Sequence, residues 1–104
     1  MHVIAITIFN EAMKKFPNDA KAIDDFYRLL NSGKFKDHHE LKKVAPSLDN
    51  FKYKDKWWVI DIGGNNLRLI AFIEFRHSRV FVKHIVTHAE YDKLTERYRK
   101  KELK

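Results

Sequence analysis

The strongest constraint on the fold lies in residues 57–86, where apolar segments alternate with turn-forming residues. Residues 63–66, Gly-Gly-Asn-Asn, tolerate positive φ at several positions and therefore predict a tight hairpin turn. We predict that Trp57–Ile62 and Leu67–Phe75 are the two strands joined by this turn. A second turn follows, and Arg79–Val86 is then predicted to be the third strand of an antiparallel meander.

The first half of the chain is predicted to be mainly helical. Residues 2–6 are apolar and largely β-branched, which predicts a short first strand. Apolar residues then recur at helical spacing over residues 9–16, up to a proline. Asn18 is predicted to cap a second helix, which ends at Gly33 in the left-handed conformation. These helices are expected to pack as a hairpin across one face of the sheet.

Capping signals mark two further helices. Asp37 and Glu40 have the spacing of a capping box, which predicts a short helix that ends before Pro46. Thr87 and Glu90 fit the Ser/Thr-x-x-Glu form of the box and predict a C-terminal helix. The order of strand, helices, three-stranded meander and helix indicates an α+β fold. At 104 residues, the chain is expected to be a single domain, 1–104.

Charge is the compositional property that bears most directly on function. The chain has 21 Lys and Arg residues against 14 Asp and Glu residues, a net charge of +7. Residues 1–52 contribute nine basic and seven acidic side chains, and residues 53–104 contribute twelve and seven. A basic, strand-rich half favours a polyanionic partner such as nucleic acid, although many basic domains bind none.

Composition also excludes some classes of protein. Without cysteine, the chain has neither a disulfide framework nor a thiolate metal site, and it is compatible with a reducing compartment. No basic segment precedes the first apolar residues, and no apolar run approaches the roughly 18 residues of a membrane span. We therefore expect a soluble, cytoplasmic protein without cofactor or metal. Five histidines lack metal-ligand spacing and are interpreted as surface or packing residues: His2, His38, His39, His77 and His84.

Arg68 is the first candidate for a site residue. Strand alternation places Leu67, Leu69 and their alternate neighbours on one uniformly apolar face, which is predicted to be the core face. Arg68 therefore projects from the opposite face, near the hairpin turn. Two interpretations remain open. The side chain forms a salt bridge with Glu74 or Asp61, or its guanidinium binds a phosphate through the bidentate geometry that arginine provides.

His88 and Tyr91 are the second pair of candidates. His88 directly follows the predicted cap, so its ring lies in the positive field of a helix N-terminus. That field favours the neutral imidazole that a general base requires, whereas Glu90 has the opposite effect. Tyr91 lies one turn later on a neighbouring part of the same helix face. Taken singly, each residue is more often structural, His88 as a surface residue and Tyr91 as an aromatic at the edge of the core.

A row of lysines precedes the predicted strands. Lys52, Lys54 and Lys56 alternate along the lead-in to Trp57 and are predicted to share one side of it. Such a row ordinarily protects a sheet edge, and it is also suited to neutralising a phosphate backbone.

Three segments of the chain together resemble the HigB toxin family of the RelE/ParE superfamily. In bacteria, these proteins belong to type II toxin–antitoxin systems. The combination of Gly-Gly-Asn-x-x-Arg with Thr-His-x-Glu-Tyr-Asp is specific, whereas either motif alone is modest. The resemblance spans most of the chain and rests on Ser47–Tyr53, Ile62–Ala71 and Val86–Lys93.

The resemblance implies a RelE-like fold and a ribosome-dependent mRNA endonuclease. It also implies a helix-turn-helix, HigA-like antitoxin that inhibits the toxin and through which the complex binds operator DNA. It implies a metal-independent reaction in which the 2′-hydroxyl attacks the adjacent phosphate, leaving a 2′,3′-cyclic phosphate and a 5′-hydroxyl. Arg68 would stabilise the transition state, His88 would act as base or acid, and Tyr91 would stack on or orient a nucleotide. The implied substrate-binding residues are Lys52 or Lys54, Asn65 and Lys93.

Two other functions fit the same fold. The chain is either a non-catalytic module that inhibits translation by binding RNA or the ribosome, or a ParE-like poison of DNA gyrase. Arg68, His88 and Tyr91 have a clear use on RNA and none that we can identify on gyrase, which favours the interferase.

Overall fold

The computed structural model describes residues 1–4 and 6–101, and it places a mixed five-stranded sheet between helices. The strands are β1 (His2–Ile4), β2 (Asp49–Asn50), β3 (Trp57–Ile62), β4 (Leu67–Glu74) and β5 (Arg79–Thr87). The α-helices are α1 (Ile6–Lys15), α2 (Ala20–Ser32), α3 (His38–Val44) and α4 (His88–Arg99), and short 3-10 turns span Pro17–Asp19 and Phe75–His77. This architecture confirms the predicted α+β fold and is consistent with the RelE-like fold.

The sheet has the order β1-β5-β4-β3-β2. β1 runs parallel to β5, and every other neighbouring pair is antiparallel. The predicted hairpin is confirmed, with positive φ at Gly63, Gly64 and Asn65. Asp61 lies opposite Arg68 across this hairpin, close to its turn. The hairpin therefore brings a carboxylate and a guanidinium together on one side of the sheet.

Each face of the sheet carries its own hydrophobic cluster. The larger cluster packs against α1 and α2, and it contains the buried β4 residues that the alternation assigned to the core: Leu67, Leu69, Ala71 and Ile73. The smaller cluster lies beneath α4 and consists of Phe51, Val59, Ile70 and Tyr98. Arg68 belongs to this second face, as predicted, at the end where α4 begins.

Two predicted boundaries of the N-terminal helices are wrong. Asn18 does not cap α2, since the chain first makes the 3-10 turn, and the Asp19 carboxylate instead accepts a hydrogen bond from the Asn66 side chain at 3.1 Å. Gly33 has an extended backbone, with φ −80° and ψ 156°. The N-terminal ammonium of Met1 donates to the carbonyls of Leu30 and Gly33, so the end of α2 is satisfied without a left-handed turn.

Other predicted boundaries shift by a residue or two. β1 ends at Ile4, Ile6 already belongs to α1, and the fifth residue lies outside the described part of the chain. Phe75 leaves β4 for the 3-10 turn, and β5 extends to Thr87. In α3, the Asp37 side chain accepts from the Glu40 amide as predicted, but the Glu40 carboxylate accepts from the Lys36 amide, so the box is shifted by one residue.

The predicted row of lysines is also wrong. β2 contains only Asp49 and Asn50, and the chain then makes consecutive turns to the start of β3, with φ 62° at Lys56. The prediction failed because strand alternation applies only where the backbone is extended. The lysines are therefore distributed around a loop, residues 51–56, instead of lying along one side of a strand.

The capping box of α4 is complete. The Thr87 hydroxyl accepts a hydrogen bond from the Glu90 amide at 3.2 Å, and the Glu90 carboxylate accepts from the Thr87 amide at 2.9 Å. Glu90 also forms an ion pair with Lys15, at the end of α1, at 3.0 Å. The box thus fixes the start of α4 beside Arg68, and the ion pair of Glu90 with Lys15 links α4 to α1. Within the described residues, no helix has the length and apolar character needed to cross a membrane.

This box predicts a pH dependence of stability. The hydrogen bond from the Thr87 backbone is the largest cause that lowers the pKa of Glu90, followed by the hydrogen bond from Lys15. Because the folded-state pKa lies below the unfolded one, the stabilisation is present above the unfolded pKa and is lost as pH falls through the folded pKa. We expect Glu90→Gln to be less stable than wild type at neutral pH and to lose less on acidification, as measured by thermal denaturation.

A matched control for this measurement is Glu11→Gln, which changes an exposed glutamate of α1. It is expected to follow the wild-type pH profile. If Glu90→Gln also follows that profile, the box makes no ionisation-dependent contribution.

Candidate active site

Arg68 lies at the centre of the candidate site. Its Nε is 3.3 Å from an Asp61 carboxylate oxygen, and its guanidinium carbon is 4.4 Å from the centre of the Tyr91 ring. The Arg68 and Asp61 side chains are only 30% and 25% exposed, so solvent screens the ion pair incompletely. This selects Asp61 from the two predicted partners, since Glu74 pairs with Arg79 at 2.9 Å. The guanidinium is thus held between a carboxylate and an aromatic ring.

Arg68 nevertheless keeps hydrogen-bonding capacity. Its Nε is buried and has no hydrogen-bond partner, because the ion pair with Asp61 does not have hydrogen-bond geometry. Because Nε is buried against Asp61, a ligand would have to bind the terminal nitrogens of the guanidinium, and the side chain as a whole is 30% exposed. An oxyanion is the ligand that a guanidinium binds best. The geometry therefore suits Arg68 to a phosphate.

Tyr91 covers Arg68 from α4. Burial is the largest influence on its hydroxyl and raises the pKa of Tyr91, and the neighbouring Arg68 partly opposes this rise. The hydroxyl therefore stays protonated at neutral pH and can donate a hydrogen bond. Its ring is engaged by Arg68 on one side, and Phe51 lies edge-on at 6.4 Å between ring centres.

Two adjoining cavities open beside this pair. The first, of about 240 Å³, is lined by Ser47, Asp49, Asn50, Val59, Asp61, Arg68 and Tyr91. The second, of about 340 Å³, shares Asp49, Asn50 and Tyr91 with the first and extends to Lys52 and Tyr53. Together they form a polar groove that begins at Arg68 and follows the chain after β2.

His88 occupies a different environment. It is the first residue of α4, as predicted, but its Nε2 is buried without a hydrogen-bond partner, and His88 is not among the residues that line either cavity. The structure thus brings Arg68 and Tyr91 together and leaves His88 outside the groove. Among the described residues, no group of three or more His, Cys, Asp or Glu side chains is arranged to hold a metal ion.

Comparison with known proteins shows the family of this chain. The sequence model described as HigB_toxin, a RelE-like toxic component of a toxin-antitoxin system, matches residues 19–94, which include Arg68, His88 and Tyr91. The chain belongs to the HigB toxin family. The resemblance predicted from the sequence is therefore confirmed.

Two relatives illustrate how far the similarity to HigB toxins extends. An mRNA interferase HigB from Escherichia coli O6:H1 strain CFT073 is 52% identical over 99 residues, which cover 95% of this chain and 96% of the relative. The mRNA interferase toxin HigB from Escherichia coli strain K12 is 38% identical over 101 residues, which cover 97% of each chain. As a toxin of a toxin–antitoxin family, the chain has an antitoxin as its partner.

The other residues expected from the HigB resemblance lie at different distances from the groove. Lys52 lines the second cavity, and Lys54 lies 5.9 Å from the ring centres of both Trp57 and Tyr98. Asn65 is exposed in the hairpin turn, and Lys93 is exposed on α4. Of these, Lys52 has the clearest structural connection to Arg68, through the shared groove.

Sequence reasoning missed Asp49 and Asn50 as parts of this candidate site. Both lie in β2 and line both cavities. They belong to Ser47–Tyr53, a segment that carried the family resemblance without a role for either residue. Their place beside Arg68 depends on β2 pairing with β3, where Asp49 lies opposite Val59, and this pairing of a two-residue strand has no periodic signal in the sequence.

Proposed function

We propose that this member of the HigB toxin family is an mRNA interferase, a ribosome-dependent endoribonuclease that cleaves translated messages and so inhibits translation. The activity is the one for which the curated relatives are named. The observation that carries the proposal is the partly exposed Arg68 guanidinium, held by Asp61 and Tyr91 at the wall of a polar groove.

The proposed reaction needs a group that stabilises negative charge on phosphorus. Removal of the 2′-hydroxyl proton lets that oxygen attack the adjacent phosphate, and the 5′-oxygen leaves with a proton. The products are a 2′,3′-cyclic phosphate and a 5′-hydroxyl. Arg68 binds the phosphate oxygens as their charge grows, and such preorganised electrostatic stabilisation is usually the largest catalytic contribution. In this proposal, Lys52 adds positive charge along the groove, and no metal is required.

Tyr91 is proposed to orient the nucleotide next to the cleaved bond. Its ring is already held against Arg68, and its protonated hydroxyl is available as a donor. An aromatic ring beside a guanidinium provides both a stacking surface and a phosphate ligand, which are the two elements of single-strand recognition. Asn65, Lys54 and Lys93 are proposed as outer contacts to RNA.

His88 is proposed as the general base or acid, and its position makes a specific demand. The ring must turn so that a nitrogen reaches the groove, because Nε2 is buried in the structure. If it does so, His88→Ala is expected to lower the cleavage rate by about 10²–10⁴-fold, the usual contribution of a general base. The rate is measured with a reporter message in a purified translation system.

His84→Ala is a control for the loss of an imidazole, since His84 lies on β5 and interacts with the Tyr98 hydroxyl at 3.0 Å. This variant is expected to cleave the reporter message at the same position and to give the same product as wild type. Full activity of His88→Ala would assign the proton transfer to another group. Asp49 would then be the candidate, because it lines the groove and Asp61 is paired with Arg68.

The partners follow from the family and from charge. We propose that the antitoxin is a helix-turn-helix, HigA-like protein through which the complex binds operator DNA. The net charge of +7 supports binding to the ribosome and messenger in the cytoplasm. The full chain, 1–104, is proposed to act as a single domain.

The decisive in vitro experiment compares the fate of a message with and without ribosomes. We expect the purified toxin to cut a translated reporter message and to leave the same message intact when ribosomes are omitted. Translation arrest with an intact message would instead indicate a non-catalytic inhibitor. DNA breaks that depend on gyrase, with intact messages, would indicate a ParE-like activity.

A further inference from the structure

A separate cavity of about 320 Å³ lies at the end of the sheet away from the Arg68 site. Trp58, Ile73 and Phe75 form its apolar part, and Lys56 and Arg76 are among its other lining residues. Ile73 and Phe75 lie at the opposite end of β4 from Arg68, which places the cavity roughly 20 Å from the guanidinium by strand geometry. None of these residues has a role in the proposed reaction.

The aromatic wall of this cavity is held in place by other rings. Trp58 stacks on His38, with ring centres 5.1 Å apart and planes at 24°, and His38 in turn lies 4.0 Å from His39. Phe75 meets Trp58 edge-on at 6.0 Å. Trp58 is therefore held in place with one face against His38, and a planar ligand can pack on the part of its ring that lines the cavity without first ordering the side chain.

The charge around the cavity favours an anion. Glu74, the one carboxylate among its lining residues, is paired with Arg79 at 2.9 Å. Lys56, Arg76 and His77 also line the cavity, and none of the three has an ion-pair partner among the described residues. A planar ring beside the unpaired Lys56 and Arg76 side chains suits a ligand with a flat apolar part and a negative charge, and a nucleotide has both.

Shared lining residues relate this separate cavity to the groove at Arg68. It shares Lys56 with a cavity of about 380 Å³ over the 51–56 loop. That cavity shares Asn50, Phe51, Lys52 and Tyr53 with the second cavity of the active site. Neighbouring cavities therefore follow one another from Arg68, past the 51–56 loop, to Trp58. This arrangement favours a strand of RNA over an acidic peptide as the occupant, because the series begins at the group proposed to bind the cleaved phosphate.

We propose that the cavity of Trp58, Phe75 and Arg76 binds an unpaired nucleotide of RNA, remote from the cleaved bond and on the same strand. The base stacks on Trp58, and Arg76 and Lys56 bind its phosphate. The proposal rests on the proposed function, since it assigns a second contact to the same RNA. It extends the footprint of the toxin from the α4 face of the sheet to the side on which α3 lies.

The test uses single-stranded 2′-O-methyl RNA, which lacks the attacking hydroxyl and remains intact. One RNA has about 4 nucleotides and the other about 12, which spans the range of sites on small single-strand-binding domains. Binding is measured by fluorescence anisotropy. In a Trp57→Phe background, Trp58 is the remaining tryptophan of the two in the chain, so its emission reports stacking at this cavity.

We expect the longer RNA to bind roughly 5–150-fold more tightly than the shorter one, the range for one stacked base, and to quench Trp58. Arg76→Ala is expected to reduce that ratio and to lower the slope of log affinity against log salt by about 0.7, the value for one single-strand phosphate. Arg28→Ala is the matched control, since it removes an equal charge from the exposed face of α2.

Three results would overturn the proposal: no measurable affinity for the longer RNA, no quenching of Trp58, or equal effects of Arg76→Ala and Arg28→Ala. Quenching by the antitoxin and not by RNA would also overturn it and would assign the cavity to a protein partner. Ribosome-dependent cleavage is scored separately. If wild type cleaves the message but Arg76→Ala leaves RNA affinity and its salt dependence unchanged, only this proposal fails. If RNA quenches Trp58 but the message is not cleaved, only the proposed function fails.

Discussion

Replacing Arg68 with alanine is expected to lower message cleavage by about 10²–10³-fold and to relieve toxicity, while the protein remains folded. The magnitude is that of removing one preorganised donor from a site where negative charge develops. Structural damage is expected to be small, because Arg68 is partly exposed and belongs to neither buried cluster. The cleavage rate is measured with a translated reporter message and the stability by thermal denaturation.

Two further variants separate charge from geometry at this position. Arg68→Lys keeps the charge and loses the planar fork, so it is expected to recover only part of the activity. Arg28→Ala removes an equal charge from α2, far from the groove, and is expected to cleave like wild type. Wild-type cleavage by Arg68→Ala, or full recovery with lysine, would remove the guanidinium from the mechanism.

Replacing the next residue along the strand is expected to lower the stability of the fold, whereas replacing Arg68 is expected to lower cleavage. Leu69 is fully buried in the larger cluster, so Leu69→Ala removes packed methyl groups and leaves a cavity. The expected cost is about 2–5 kcal/mol in the free energy of unfolding. For a chain of this size, each kcal/mol lowers the melting temperature by about 4–8 °C. Thermal and denaturant unfolding measure both quantities.

Leu29→Ala is the control for this variant, because it deletes the same atoms from a leucine that is only partly buried on α2. Its loss of stability is expected to be smaller than that of Leu69→Ala. Equal losses would mean that burial in the larger cluster does not set the cost. The contrast between Arg68 and Leu69 therefore tests the assignment of the two faces of β4 with neighbouring residues.

The two faces of β4 could be predicted from the sequence because they depend only on residues close together in the chain. Strand alternation assigned Leu69 to the core and Arg68 to the other side, and the turn chemistry of residues 63–66 fixed the hairpin between them. The Thr87–Glu90 box located the start of α4 for a similar reason, since a cap depends on residues three positions apart. The family resemblance added the toxin function, which is supported by the comparisons.

What escaped prediction depends on contacts between distant parts of the chain. Gly33 is extended because the N-terminal ammonium satisfies the end of α2, and no local pattern encodes that contact. The same applies to the second cluster, where Phe51 and Tyr98 meet beneath α4 with ring centres 5.4 Å apart. His88 was correctly placed at the helix start, but the burial of its Nε2 depends on packing. The role of His88 therefore remains a proposal.

We propose that the chain cuts messages during translation and that Arg68 is required for the cut. The most direct test maps the 5′ ends of cellular RNA after brief induction, in cells that express wild type or Arg68→Ala at equal levels. We expect new 5′-hydroxyl ends within translated regions for wild type and their loss in the variant. Growth arrest by wild type without new ends would contradict the claim, as would the same ends in Arg68→Ala.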